Sequence, residues 1–216
     1  DSIDFKITLV DPKNQTTYSG MLPGIVAGHY NPKEAQMNLA QIANKCDVEF
    51  KKNKIIRLDI NNNKAYCENN EAIQFDVAAI NIGSKTVTPD IFEPSPNVCS
   101  VQAIDSLLRN MQDILSAGKK DHRLKISVIG GGAAGIEIVL AINYFLNKNQ
   151  IKHDARLITA SENILPGYPI RMKRIFSKIL SREKIKIVTN DRVSIIKGTN
   201  ITTESKNHFT SDYVFI

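Results

Sequence analysis

Tryptophan is absent from these 216 residues, and no apolar run approaches the length of a membrane-crossing helix. The opening residues, Asp1-Ser2-Ile3-Asp4-Phe5-Lys6, lack the basic start and apolar stretch of a secretory signal. A cytoplasmic protein is the expectation, with any membrane contact peripheral. Cysteine is scarce: Cys46, Cys67 and Cys99 stand far apart, without a C-x-x-C or C-x-x-x-x-C pair. An odd number at such spacing argues against a disulfide framework, a metal site and a redox-active cysteine pair. Internal repeats and low-complexity segments are missing. So are dense basic clusters with interleaved aromatics. The 28 Lys and Arg outnumber the 22 Asp and Glu, for a net charge of +6, but they are dispersed, as in Lys51-Lys52-Asn53-Lys54 and Lys184-Ile185-Lys186. Nucleic acid is therefore not an expected partner. The charge reads as solvated surface with a modest attraction for anionic ligands or membrane surfaces.

What is present centres on Lys125-Ile126-Ser127-Val128-Ile129, which runs into Gly130-Gly131-Gly132-Ala133-Ala134-Gly135 and then Ile136-Glu137-Ile138-Val139. A β-branched apolar run enters a G-x-G-x-x-G turn, and a helical pattern follows over residues 133–147, with Ile136, Val139, Leu140, Tyr144 and Leu146 apolar. Another strand pattern, Ala155-Arg156-Leu157-Ile158-Thr159-Ala160, comes at βαβ distance. This is the order of a dinucleotide-binding unit. Gly130 lets the chain turn off the strand, Gly132 lets backbone approach a pyrophosphate, and Gly135 lets the helix pack on the sheet. The phosphates would sit at the helix N-terminus, where free N–H groups and the helix dipole favour an anion. The alternative is a glycine turn in a parallel sheet that binds no dinucleotide.

Taken in order, Phe5-Lys6-Ile7-Thr8-Leu9-Val10 reads as a strand ended by Asp11-Pro12. Asp11 is either an ordinary turn former or the acid that holds a ribose at the end of a dinucleotide-binding strand. Residues 18–30 mix Gly, Pro, Met and aromatics, a loop suited to lying against a flat ligand or a turn-rich connector whose His29 and Tyr30 simply pack. A helix is expected over 32–45, opened by Pro32. Short strands joined by polar turns fill 47–80. Phe75-Asp76-Val77-Ala78-Ala79-Ile80-Asn81-Ile82-Gly83-Ser84 reads as a buried strand. Pro89, Pro94 and Pro96 mark a surface connector over 86–98. An amphipathic helix is expected over 103–117 and another over 169–183, with strands at 185–188, 193–197, 200–203 and 213–216. Two domains follow, residues 1–102 and 103–216.

Three separated stretches, Asp11 with the Tyr18-Ser19-Gly20-Met21-Leu22-Pro23-Gly24 loop, FDVAAINIGS at 75–84, and ISVIGGGAAGIE with LITASENILPGYP, stand in the order found in a known family. The chain resembles the flavoproteins with two dinucleotide-binding domains, the pyridine nucleotide–disulfide oxidoreductases and type II NADH dehydrogenases, over nearly its whole length. The YSGMLPG…AGHY stretch is most similar to the NADH-dehydrogenase-like flavoprotein linked to selenophosphate synthetase. The resemblance implies an α/β fold with Rossmann-like parallel sheets in two nucleotide-binding domains, the first incomplete. It implies FAD and NAD(P)H as cofactors. Asp11 would hold the FAD adenosine ribose, Met21, Leu22, Pro23 and Gly24 would approach the flavin, and Val48 would meet the adenine through its backbone. Gly83 would pass close to FAD. Gly130, Gly132 and Gly135 would hold the NAD(P)H pyrophosphate, and Glu137 would stand near the nicotinamide as the catalytic acid.

Two departures from the family pattern bear on function. The first glycine fingerprint and the C-terminal part are not in these residues, so the chain reads as an internal piece of a longer protein. No cysteine pair occupies the disulfide-reductase position, which favours direct transfer from flavin to a small-molecule acceptor, a quinone among the candidates. Glu162 follows the second strand and either reaches the NAD(P)H ribose or is a solvated loop residue. The expected activity is that of an FAD-dependent NAD(P)H dehydrogenase. The rival is a nucleotide-binding regulatory module without turnover.

Overall fold

The computed structural model describes residues 5–83, 93, 95–101, 104–118 and 122–216. They form two compact units. One holds the described residues through Met21 together with Asn31–Gly83. The other holds Leu22–Tyr30, which carries the short helix α1 (Leu22–Val26), and the described residues after Gly83.

In the first unit, β1 (Thr8–Asp11) ends in the predicted acid. β2 (Gln15–Thr17) pairs antiparallel with β3 (Gln36–Asn38), and α2 (Leu39–Lys45) leads to β4 (Glu49–Lys52). β4 lies parallel to β1, with Thr8 opposite Glu49 and Asp11 opposite Lys52. β5 (Ile55–Asp59), β6 (Lys64–Cys67) and β7 (Ala72–Gln74) form an antiparallel meander. Its turns fall on the predicted Asn runs. Asn63 and Asn70 take positive φ there, a backbone shape asparagine tolerates well.

Three expectations in this half are corrected. The helix expected over 32–45 is a 3-10 turn at Pro32–Ala35, then β3, then α2. Asn38 causes the break, because its side chain accepts the Gln41 N–H at 3.0 Å and caps a new helix. The loop at 18–30 is instead a 3-10 turn at Ser19–Met21 followed by α1. Phe75–Gly83 forms no strand. Val77, Ile80 and Ile82 are 88%, 64% and 91% exposed. An apolar run becomes a buried strand only beside a hydrogen-bonding neighbour, and among the described residues none pairs with it. The proline connector falls largely on 84–92 and 94, outside the described residues.

The second unit is built on a five-stranded parallel sheet. Its strands are β8 (Val98–Cys99), β9 (Leu124–Ile129), β10 (His153–Ile158), β11 (Lys186–Val188) and β15 (Tyr213–Phe215), in the order β11-β10-β9-β15-β8. Three helices accompany them: α3 (Ile104–Ala117), α4 (Ala133–Lys148) and α5 (Ile170–Arg182). β12 (Val193–Lys197), β13 (Asn200–Thr203) and β14 (His208–Thr210) form a separate antiparallel sheet. β14 carries little apolar alternation and was not expected from the sequence.

Two apolar clusters enclose the parallel sheet. Ile126 and Val128 of β9 join Leu107 and Ile114 of α3, Ile136, Val139 and Ile142 of α4, Leu180 of α5, and Leu22 and Val26 of α1. Ile158 and Val214 instead join Ile196 and Ile201 of the antiparallel sheet. Alternate strand residues thus serve opposite faces. Asp191 ties down the antiparallel sheet. Its carboxylate accepts from Thr203 Oγ1 and Asn207 Nδ2, each at 2.8 Å, and from the Ser205 N–H. Burial pushes this carboxyl up, but those hydrogen bonds outweigh it and hold the group below the usual range.

Candidate nucleotide-binding site

The order of the parallel sheet singles out one place. From β9 the chain moves outward through β10 to β11, then returns to β9's other side with β15. In open α/β sheets, ligands bind beyond the carboxyl ends of the strands where this reversal occurs. The glycine turn leaves β9 at that end.

Each glycine there is held for a different reason. Gly130 has φ +117°, which L side chains rarely adopt, so its role is the turn itself. A Cβ at Gly135 would lie 2.0 Å from the Gly130 carbonyl oxygen, so its role is helix-on-turn packing. A Cβ at Gly131 would lie 2.7 Å from Thr159 Oγ1. Gly132 has φ −75° and ψ 179°, and a Cβ there would meet no heavy atom within 4 Å. Nothing inside the protein asks for glycine at Gly132. The space in that direction is open. Gly132 is also the N-cap of α4 and offers no side-chain cap. The first N–H groups of a helix have no intrahelical partner, and here no side chain competes with an anion for them.

A second layer supports the turn, and sequence reasoning missed it. Thr159 follows β10 and is 4% exposed, packed against Gly131. Leu165 takes φ +53°, a costly shape for a leucine, while its N–H donates to the Gly131 carbonyl at 2.6 Å. Ile164 and Leu165 are both buried. The loop after β10 therefore folds onto the glycine turn and fixes it. The Ile164-Leu165-Pro166-Gly167 run was visible in the sequence, but its contact with Gly131 was not.

The other predicted residues fall as follows. Glu137 is exposed on α4 between buried Ile136 and Ile138, and Glu162 is exposed in the loop after β10. Leu22 is 8% exposed in the core of the second unit. The Pro23 carbonyl accepts the Ala27 N–H at 2.9 Å, and Gly24 lies under the Tyr30 ring, which a Cβ would approach to 2.6 Å. His29 stacks on Tyr144 of α4 at 4.8 Å, tilted 41°. In the first unit, Asp11 ends β1 and accepts the Lys13 N–H at 2.7 Å. Met21 closes the 3-10 turn by donating its N–H to the Tyr18 carbonyl. Val48 lines an open depression of about 500 Å³ with Phe5, Lys6, Ile7, Asp47 and Glu49. Gly83 is exposed with φ +73°. The second unit thus gathers Gly130, Gly132 and Gly135 at one turn. Asp11, Met21, Val48 and Gly83 belong to the other unit.

All three cysteines are free. Cys46 is exposed, whereas burial pushes the Cys99 thiol up to about 11. Among the described residues, no group of three His, Cys, Asp or Glu is placed to hold a metal.

Known proteins share this arrangement. An external alternative NAD(P)H-ubiquinone oxidoreductase of Arabidopsis thaliana mitochondria (B3) is 18% identical over 94% of this chain and 40% of its own length. An external NADH-ubiquinone oxidoreductase of Saccharomyces cerevisiae mitochondria is 20% identical over 98% of this chain and 44% of its own. The chain thus spans about two-fifths of the curated relatives it matches. Among solved structures, the sulfide:quinone oxidoreductase of Aquifex aeolicus superposes with a TM-score of 0.80 at 19% identity, covering 97% of this chain and 52% of that one. NDH2 of Plasmodium falciparum, in complex with NADH, superposes at 0.77 and 19% identity, covering 98% and 49%. These likenesses bear out the α/β fold with Rossmann-like parallel sheets. A family model described as pyridine nucleotide-disulphide oxidoreductase matches residues 2–216. With that match across essentially the whole chain, and the glycine turn at the reversal of a parallel sheet, the chain belongs to the pyridine nucleotide-disulphide oxidoreductase family.

Proposed function

We propose that the whole protein is an FAD-dependent NAD(P)H dehydrogenase that delivers electrons to a quinone or another small-molecule acceptor, in peripheral contact with a membrane. The observation that carries this reading is the family match over residues 2–216, joined to a glycine turn with room at Gly132. Relatives named as ubiquinone oxidoreductases support the acceptor class.

NAD(P)H and FAD, when bound, would supply the redox chemistry, hydride donation by the nicotinamide and two-electron acceptance and release by the flavin. The chain's residues bind and orient. Gly132 and the first turn of α4 receive the NAD(P)H pyrophosphate, while Gly130, Gly135, Thr159 and Leu165 keep that turn in shape. Glu162 is positioned in sequence to reach the ribose hydroxyls, and Glu137 to stand near the nicotinamide. On the FAD side, Asp11 would exchange its bond to the Lys13 N–H for the adenosine ribose, and the Val48 backbone would meet the adenine. The segment Met21–Gly24 and Gly83 would lie along the flavin. This side fits FAD only in part, because residues 1–102 contain no G-x-G-x-x-G turn for its pyrophosphate.

Two measurements test the reading. In the longer protein, anaerobic NADH should bleach the bound flavin's visible absorbance. A flavin that stays oxidised would point to a nucleotide-binding regulator instead. Calorimetric titration of the 216-residue chain should show NADH binding and little or no FAD binding. Tight FAD binding by this chain would overturn the assignment of phosphate sites.

A further inference from the structure

Helix α5 makes three choices against its own stability. It carries Arg171, Lys173, Arg174, Lys178 and Arg182 and no acid. Cations in the first turn oppose the helix dipole, and Pro169, the N-cap, offers no side-chain bond to offset this. Arg171, Arg174, Lys178 and Arg182 also recur at helical spacing, so they share one face as successive like-charge neighbours. All four are exposed. Arg182 pairs with Glu183 at 3.3 Å, but among the described residues Arg171, Arg174 and Lys178 have no acidic partner. The stripe runs about 16 Å along the helix. Leu180 is the buried side chain of α5 and holds the helix to the core.

Apolar side chains accompany these cations. Tyr168 is 47% exposed, Ile170 59% and Ile175 41%. Around the helix axis, Ile170 and Ile175 flank the stripe on either side. A purely acidic polypeptide or a nucleic acid would answer the charge but leave the aliphatic groups in water. Nucleic acid would also be met by several stacking aromatics, and beside this face Tyr168 stands alone among exposed aromatics of the loop and helix. An anionic bilayer answers both features, since its headgroups take the cations and its acyl boundary takes the aliphatic side chains.

We propose that the outward face of α5 (Arg171, Arg174 and Lys178, flanked by Tyr168, Ile170 and Ile175) docks the protein on the surface of an anionic lipid bilayer. It deepens the membrane contact of the proposed function by naming the surface, and its test involves no electron transfer.

The test is co-sedimentation of the 216-residue chain with vesicles of phosphatidylcholine alone and of phosphatidylcholine mixed with phosphatidylglycerol, at low and high salt. The chain should bind the mixed vesicles, lose that binding at high salt, and ignore the neutral ones. The triple variant R171Q/R174Q/K178Q keeps good helix formers at exposed positions. It should bind mixed vesicles on the order of 100-fold more weakly, with unchanged circular dichroism and NADH affinity. I170S/I175S should weaken binding to the mixed vesicles at low salt. Unchanged binding by the triple variant, failure of the chain to bind mixed vesicles, equal binding to neutral vesicles, or tighter binding to polyglutamate or duplex DNA would each overturn the proposal. A chain that binds vesicles through α5 but whose longer form leaves its flavin oxidised would keep this inference and lose the proposed function.

Discussion

At the scale of single residues, the glycine turn separates shape from binding. Gly135 serves shape, because a Cβ there overlaps the Gly130 carbonyl. On the proposed function Gly132 serves binding, since its Cβ direction is open and its φ of −75° suits any residue. Two substitutions should therefore fail differently. Gly132→Val should abolish NADH binding in calorimetry and leave the thermal midpoint nearly unchanged. Gly135→Ala should lower the stability of the second unit by about 1–3 kcal/mol, the range for overpacking, and weaken NADH binding by displacing the turn. Unchanged NADH binding in Gly132→Val would show that the open space is not the phosphate site. These motif glycines were legible in the sequence, because their spacing follows from local backbone demands. Gly131, Thr159 and Leu165 were not, because their role is contact between a turn and a loop about 30 residues away.

At the scale of elements, α1 shows how tertiary packing overrides local signals. Its short run of Leu22, Pro23, Gly24, Ile25 and Val26 contains a helix former's two worst neighbours. Yet Leu22, Ile25 and Val26 are all buried, and Leu22 and Val26 belong to the core formed with α3 and α4. Burial of one apolar face stabilises a helix that propensity alone would not form. Leu22→Ala should accordingly cost about 2–4 kcal/mol by leaving a cavity, read as a lower denaturant midpoint at an unchanged slope. No loss of stability would mean that Leu22 serves only a ligand. α5 is the opposite case, where the 3.6-residue period was plain in the sequence and the structure adds which face is left to solvent.

For the whole molecule, buried ionisable groups set the alkaline limit of the second unit. Burial raises the thiol of Cys99 from 9.0 to about 11, with Asn110 drawing it partly back, and burial also raises the hydroxyl of Tyr213 above 10.0. Both groups are neutral when protonated, so the folded unit holds protons that the unfolded chain releases. Their contribution is fully present below the unfolded values and is lost as pH rises through the folded ones. Stability should fall between about pH 9 and pH 11, Cys99 accounting for about 2–3 kcal/mol. Cys99→Ala should flatten that slope in chemical denaturation across the same range. An equal slope in the variant would place the alkaline limit elsewhere.

The sequence by itself determined the glycine turn, the helices expected over 103–117, 133–147 and 169–183 to within a residue of their ends, the acid at the end of β1 and the meander turns. These rest on backbone conformation and on periodicities that neighbouring residues impose on one another. Only the tertiary structure decided that Phe75–Gly83 forms no strand, that Leu22–Val26 is helix, and that the loop carrying Thr159 and Leu165 closes on Gly131. An apolar residue can say that it prefers to be buried. Whether a hydrogen-bonding edge, a helix face or a glycine turn stands ready to bury it depends on chain segments far away in sequence.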